Sequence, residues 1–147
     1  MIRTRRPAFT LFEIILVLGI VVVMSVAVAP STAQLLSQSY FTNTVERVTR
    51  TLRTAQIYSI SGKEDSSWGV HYESSKLVLF KGTSFGTRDP TFDVETPLPA
   101  TATLTGWTDV YFDRLRGTPS GTLSVQIETL GRVGFVTVGA EGAINRP

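Results

Sequence analysis

The stretch that decides the fold is Phe9–Ala29, FTLFEIILVLGIVVVMSVAVA, which holds 21 residues and one charge, Glu13. As an α-helix it would span roughly 32 Å, close to the bilayer's apolar core of about 30 Å. Three arginines precede the stretch, Arg3, Arg5 and Arg6. Because arginines are retained on the cytoplasmic side, the rest of the chain is predicted to lie outside the inner membrane.

The presence of a charged residue, Glu13, within this apolar stretch requires an explanation. A secretory signal peptide has a shorter apolar core, of roughly 7–15 residues, and a plain signal anchor has no use for a carboxylate. A charge at mid-bilayer costs about 2.5–3.5 kcal/mol, so an ionisable residue in such a helix marks a functional site. A cut just before Phe9 would free an α-amino group about one helical turn from Glu13.

The residues around Glu13 form a motif. Arg6–Glu13, RPAFTLFE, followed by the apolar run, resembles the class III signal of type IV pilins and type II secretion pseudopilins. The chain departs from that signal at Ala8, where glycine is usual, and it matches the signal at Phe9, Thr10, Leu11 and Glu13.

The motif and the proline that follows it lead to four site assignments. A prepilin peptidase would cleave between Ala8 and Phe9, and the new α-amino group of Phe9 would be methylated. Glu13 would serve filament assembly by pairing with the Phe9 amine of a neighbouring subunit. Pro30 lies where many pilins carry a helix-loosening proline. Because proline removes a helical hydrogen bond, we expect a loosened helix at residues 26–31 in the filament, or a simple kink in the isolated subunit.

The chain after Pro30 continues as a predicted amphipathic helix. Its apolar residues recur at steps of four and three, and Gly62 is expected to end it. The resulting organisation is a leader over residues 1–8, a transmembrane and filament-core helix over 9–29, an amphipathic helix over 30–61 and a β-rich domain over 62–147. The apolar stripe consists of Phe41, Val45, Val48, Leu52 and Ala55.

From Gly62 onward the periodicity changes to two. One hairpin is predicted from Trp68–Tyr72 and Lys76–Phe80, and another from Thr122–Thr129 and Arg132–Val138. Shorter strand candidates lie at residues 92–95, 101–104 and 110–112. The sequence therefore predicts an α+β protein, in which a long N-terminal helix packs on one C-terminal antiparallel β-sheet.

The order of these pieces resembles the H-type minor pseudopilins of type II secretion and the related FimT-like minor pilins. The features that carry the resemblance are the Trp68-Gly69-Val70 strand, Val110-Tyr111-Phe112-Asp113 before a glycine-rich turn, and Gly134–Val138 near the end. The resemblance implies the pilin fold.

Composition argues against catalysis and metal binding. The chain has no cysteine and one histidine, His71, which excludes thiolate sites and two-histidine sites. Four aspartates lack the spacing of a metal-binding loop, and no nucleophile motif is present. We therefore expect that the protein is not an enzyme and that it binds no cofactor and no metal ion. The four aspartates are Asp89, Asp93, Asp109 and Asp113.

The predicted function is that of a structural subunit, a minor pilin or pseudopilin, in a pilus or type II secretion pseudopilus. Its partners would be other pilin subunits, prepilin peptidase, the inner-membrane assembly platform and the lipid bilayer. One alternative is a membrane-anchored extracytoplasmic binding domain. Another is a DNA-binding minor pilin, although removal of three leader arginines leaves 11 of the 14 basic residues against 12 acidic ones. The candidate DNA-binding patch is Arg132 with Arg146 near the C-terminus, or Arg114 with Arg116.

Overall fold

The computed structural model describes residues 9–146, and for residues 26–33 it describes the backbone alone. A single helix, α1, runs from Leu11 to Ile60 and is helical through position 30. The chain divides into two compact units, Met1–Leu36 and Ser37–Pro147. No helix in the described part of the chain combines the length and hydropathy needed to cross a membrane.

The end of α1 is fixed by backbone hydrogen bonds. The Ser59 carbonyl accepts from the N–H of Gly62 at 3.1 Å and from the N–H of Leu115 at 2.8 Å. Gly62 adopts a left-handed conformation, with φ of 65°, which glycine tolerates without strain. The prediction that Gly62 ends the helix is confirmed.

The apolar stripe of α1 forms one side of the core. Val45, Val48, Leu52 and Ala55 are buried, and Phe41 is partly buried against the same cluster. The predicted stripe is therefore confirmed. The arginines at positions 47, 50 and 53 are exposed on other faces.

In the part of the chain that the structure describes, eight strands and three single-turn 3-10 helices follow α1, and the 3-10 helices lie at Lys63–Asp65, Phe85–Thr87 and Pro90–Phe92. Both predicted hairpins are present, and the three shorter strand candidates are found within two residues of their expected positions. The strands are β1 (Trp68–Glu73), β2 (Lys76–Lys81), β3 (Val94–Pro97), β4 (Ala102–Thr105), β5 (Val110–Phe112), β6 (Leu123–Thr129), β7 (Arg132–Val138) and β8 (Ile144–Asn145).

The strands form two antiparallel sheets, so the expectation of one sheet is wrong. Sheet A has the order β3-β2-β1-β5, and sheet B has the order β4-β6-β7-β8. The chain enters sheet B at β4 and returns to sheet A at β5 across residues 106–109, so neighbouring short strands join different sheets. The inner faces of both sheets contribute to the same core cluster as α1.

The outer face of sheet A is covered by the β2–β3 connection, residues 82–93. Phe80, on that face, is buried and meets the ring of Phe85 edge-on at 5.6 Å between centroids. Gly69 pairs with Phe80, and a Cβ at Gly69 would lie 2.5 Å from the Phe80 ring. The absence of a side chain at Gly69 therefore leaves the space that the Phe80 ring occupies.

Candidate functional site

The residues that the motif singles out lie at the start of α1. Phe9 and Thr10 precede the helix, and Glu13 lies in its first turn. The Glu13 N–H donates to Thr10 Oγ1 at 3.2 Å, and the Ile14 N–H donates to the Thr10 carbonyl at 3.3 Å. Thr10 is thus the N-cap of α1, and Glu13 occupies the third helical position, as in a capping box.

This helix start leaves Phe9 outside the helix. The peptide bond that the motif marks for cleavage therefore precedes the first helical residue by two positions. The carboxylate of Glu13 is exposed and forms no ion pair with any residue that the structure describes. A negative charge in the first turn also interacts favourably with the helix dipole.

The side chains that follow Glu13 are apolar and exposed. Every side chain from Phe9 to Ser25 is exposed, and Glu13 is the one charged residue in this range. A shallow trough on this surface is lined by Phe9, Glu13, Ile14, Val17 and Leu18. An apolar surface of this extent marks a site of contact with lipid or protein.

For two of the predicted site residues, Ala8 and Pro30, the structure gives no side-chain contacts. Ala8 lies outside the described residues, as do the leader arginines. For Pro30 the structure describes only a helical backbone, so the predicted loosening of the assembled helix stays a prediction.

His71 contacts the 82–93 connection that covers the outer face of sheet A. Its Nδ1 lies 2.8 Å from both carboxylate oxygens of Asp109, and its ring stacks on Phe85 at 3.7 Å between centroids. The guanidinium of Arg88 covers the Phe85 ring at 3.5 Å and donates to Asp93 at 2.7 Å. These contacts hold the 82–93 connection against the sheet.

The remaining aspartates also have structural partners. Asp89 accepts a hydrogen bond from the Thr91 N–H at 3.0 Å, and this bond lowers the pKa of the Asp89 carboxyl. Asp113 accepts from Thr118 Oγ1 at 3.1 Å. Within residues 9–146, no group of three or more histidine or acidic side chains is arranged to hold a metal ion.

Three of the four arginines considered for DNA binding contact other described residues. Arg146 pairs with Glu46, and Arg114 pairs with Asp65 at 2.8 Å. Arg132 donates to Ser37 Oγ at 3.4 Å. Two of the four candidate charges are therefore engaged by carboxylates.

The structure adds a basic groove that the sequence did not indicate. It lies between α1 and the edge strand β3, has a volume of about 350 Å³, and includes two arginines. Its helix residues follow the spacing i, i+3, i+4, i+7, which places them on one face of α1. That spacing is visible in the sequence, and so is a short strand near β3, but the pairing that places β3 opposite α1 is not. The groove is lined by Arg47, Arg50, Thr51, Thr54, Leu79, Val94 and Thr96.

Comparison with known proteins identifies the fold. The chain is similar to the minor pseudopilin EpsH from the Type 2 Secretion System of Vibrio cholerae, with a TM-score of 0.53 and 12% sequence identity. The likeness covers 73% of this chain and 95% of that chain. No protein-family model and no curated protein matches the sequence. The fold expected from the resemblance to H-type minor pseudopilins is thereby confirmed.

Proposed function

We propose that this chain is a structural subunit of a type IV-like filament, a minor pilin or pseudopilin. The observation that carries the proposal is the position of Glu13 in the first turn of α1, as the one charge among exposed apolar side chains. The fold shared with a minor pseudopilin supports the same function.

The proposed route to the filament begins in the inner membrane. Residues 9–29 would span the bilayer with Met1 in the cytoplasm and the β-rich domain outside. Prepilin peptidase would cut between Ala8 and Phe9, and the new Phe9 amine would be methylated. The assembly platform would then transfer the subunit from lipid into a periplasmic or extracellular filament. The start of α1 at Leu11 supports this route, because it leaves Phe9 outside the helix.

In the filament, the Glu13 carboxylate would pair with the Phe9 α-amino group of a neighbouring subunit. A subunit that entered one residue out of register would leave both charges buried and unpaired. Loss of one member of a buried pair typically costs about 3–5 kcal/mol. The pair would therefore select the correct register.

Pro30 would serve the same transfer. A helix that leaves a bilayer and packs again beside other helices benefits from one weak position, and proline removes a hydrogen bond there. We expect the helix at residues 26–31 to loosen in the filament. A filament map with an unbroken helix through Pro30 would contradict this expectation.

The first test is mass spectrometry of the N-terminus of the protein isolated from cells that express a prepilin peptidase. The expected N-terminus is methylated Phe9. Replacement of Ala8 with a bulky residue should block processing, whereas Ala8→Gly should be processed. An intact Met1 on protein that stays in the membrane would favour the membrane-anchored binding domain instead.

The second test separates the charge of Glu13 from the N-cap that Thr10 provides to its backbone N–H. Glu13→Gln keeps a side chain that suits the third helical position but removes the charge, whereas Thr10→Val keeps the charge and removes the cap. We expect Glu13→Gln to be cleaved and inserted normally but to enter filaments poorly. Normal filament incorporation of Glu13→Gln, measured by shearing and immunoblotting, would remove Glu13 from the site.

A further inference from the structure

The groove between α1 and β3 has charge that the rest of the described chain does not neutralise. Arg47 and Arg50 line it one turn apart, and neither forms an ion pair with a described carboxylate. The acidic residue four positions before Arg50 is Glu46, and its carboxylate is bound by Arg146. The guanidinium of Arg50 makes no hydrogen bond to any described residue, so its donors are available to a ligand.

The floor of the groove is mixed in character. Leu79 is buried, and Val94 is half exposed beside it. The hydroxyls of Thr51 and Thr54 already donate to carbonyls one turn earlier in α1, at 2.9 and 2.8 Å. Their oxygens can therefore only accept further hydrogen bonds, so within the groove it is the arginines that attract a negative group. A ligand that fits has an aliphatic stem and a terminal anion.

The wall of the groove is an unpaired strand edge. β3 is the last strand of sheet A, and its Pro97 carbonyl accepts from Arg47 Nη1 at 2.8 Å. Because N–H and C=O groups alternate in direction along a strand, Glu95 directs its own backbone groups to the same side as Pro97. A free edge of this kind accepts an extended peptide from another chain.

We infer that this groove binds an extended acidic segment of a partner protein, with a glutamate or aspartate on Arg50 and the partner's backbone against Glu95. Charge complementarity selects the acid, and the apolar floor contacts its stem. The volume of about 350 Å³ suits one or two side chains. A nucleic acid fits less well, because two arginines give a short cationic row and Arg47 already binds Pro97. The inference does not depend on cleavage or filament assembly.

The test uses the full chain in detergent, labelled with nitrogen-15, and the blocked peptide acetyl-Val-Glu-Val-Glu-Val-amide. We expect amide shifts at Thr51, Thr54 and Glu95, and a Kd that rises about fivefold or more when glutamine replaces both glutamates of the peptide. Arg50→Gln should give a similar loss. Arg53→Gln is the matched control, because Arg53 lies on α1 outside the groove and should change the Kd less than about twofold.

A backbone variant separates strand pairing from charge attraction. Glu95→Pro removes the outward N–H and the ion pair with Lys76, whereas Glu95→Gln removes the ion pair but keeps the N–H. We expect Glu95→Pro to bind the acidic peptide several-fold more weakly than Glu95→Gln. Equal binding of the glutamine peptide, or equal losses in Arg50→Gln and Arg53→Gln, would overturn the inference. Tighter binding of an oligothymidylate at the same amides would overturn it in favour of nucleic acid.

Discussion

The hydroxyl of Thr10 should decide where α1 begins. Thr10→Val keeps the shape and the β-branch of the side chain but removes the acceptor of the Glu13 N–H. Loss of an N-cap costs about 1 kcal/mol, within a range of roughly 0.5–2 kcal/mol. Since about 1.4 kcal/mol corresponds to a factor of ten, the first turn should open about five times more often.

The assay is amide hydrogen exchange of the full chain in detergent, followed by NMR. We expect exchange at the Glu13 amide to accelerate about fivefold in Thr10→Val. Thr10→Ser should behave like the wild type because it keeps the oxygen. Ser25→Ala is the control within the same helix, since it removes a hydroxyl bonded to the Val21 carbonyl but leaves the cap intact. Unchanged exchange at Glu13 in Thr10→Val would refute the assignment of Thr10 as the cap.

Three further predictions concern the second unit. The buried hydroxyl of Thr49 has no hydrogen-bond partner among the described residues, so Thr49→Val should stabilise the fold by about 1 kcal/mol in chemical unfolding, whereas Thr44→Val, which loses a bond to a helix carbonyl, should not. Gly69→Ala should lower stability by about 1–3 kcal/mol in the same assay, because its Cβ would collide with the ring above it. Because the folded-state pKa of Asp89 is lowered, its contribution is present above its ordinary pKa of about 3.9 and is lost as pH falls through the folded value. The thermal midpoint of Asp89→Asn should therefore fall less than that of the wild type on acidification.

The sequence predicted what depends on local pattern. The helix, its buried stripe and both long hairpins follow from periodicity and from turn residues such as Gly62 and Leu130-Gly131. The division into two sheets could not be predicted, because β4 and β5 are short and their partners are distant in sequence. β5 pairs with β1 through Trp68 and Phe112, and the spacing of neither strand specifies that pairing.

The candidate sites also divide into one that local sequence predicts and one that depends on long-range strand pairing. The position of Glu13 follows from the motif, and the capping box was also present in the sequence as Thr10-x-x-Glu13. Arg47, Arg50 and Arg53 are all exposed, as residues off the apolar stripe of an amphipathic helix are expected to be. Arg50 and Arg47 differ from Arg53 because the edge of β3 lies opposite them. That edge is formed by a long-range antiparallel pairing with β2, which a single sequence does not specify.

The second unit of the chain buries its apolar side chains, and the first unit leaves its described apolar side chains exposed. This difference matters for the role of Glu13. The second unit buries its own stripe from Val45 to Ala55 within the chain. The helix from Leu11 to Ser25 buries none of its described side chains. Its apolar surface therefore needs contact with lipid or with other helices. Either environment is apolar, and in either one an unpaired Glu13 carboxylate is unfavourable. A neutral residue at position 13 would remove this charge-based preference, whereas a carboxylate favours the environment that supplies a cation. Under the proposed function, Glu13 would therefore favour transfer of the helix from lipid to a filament in which an amine is available.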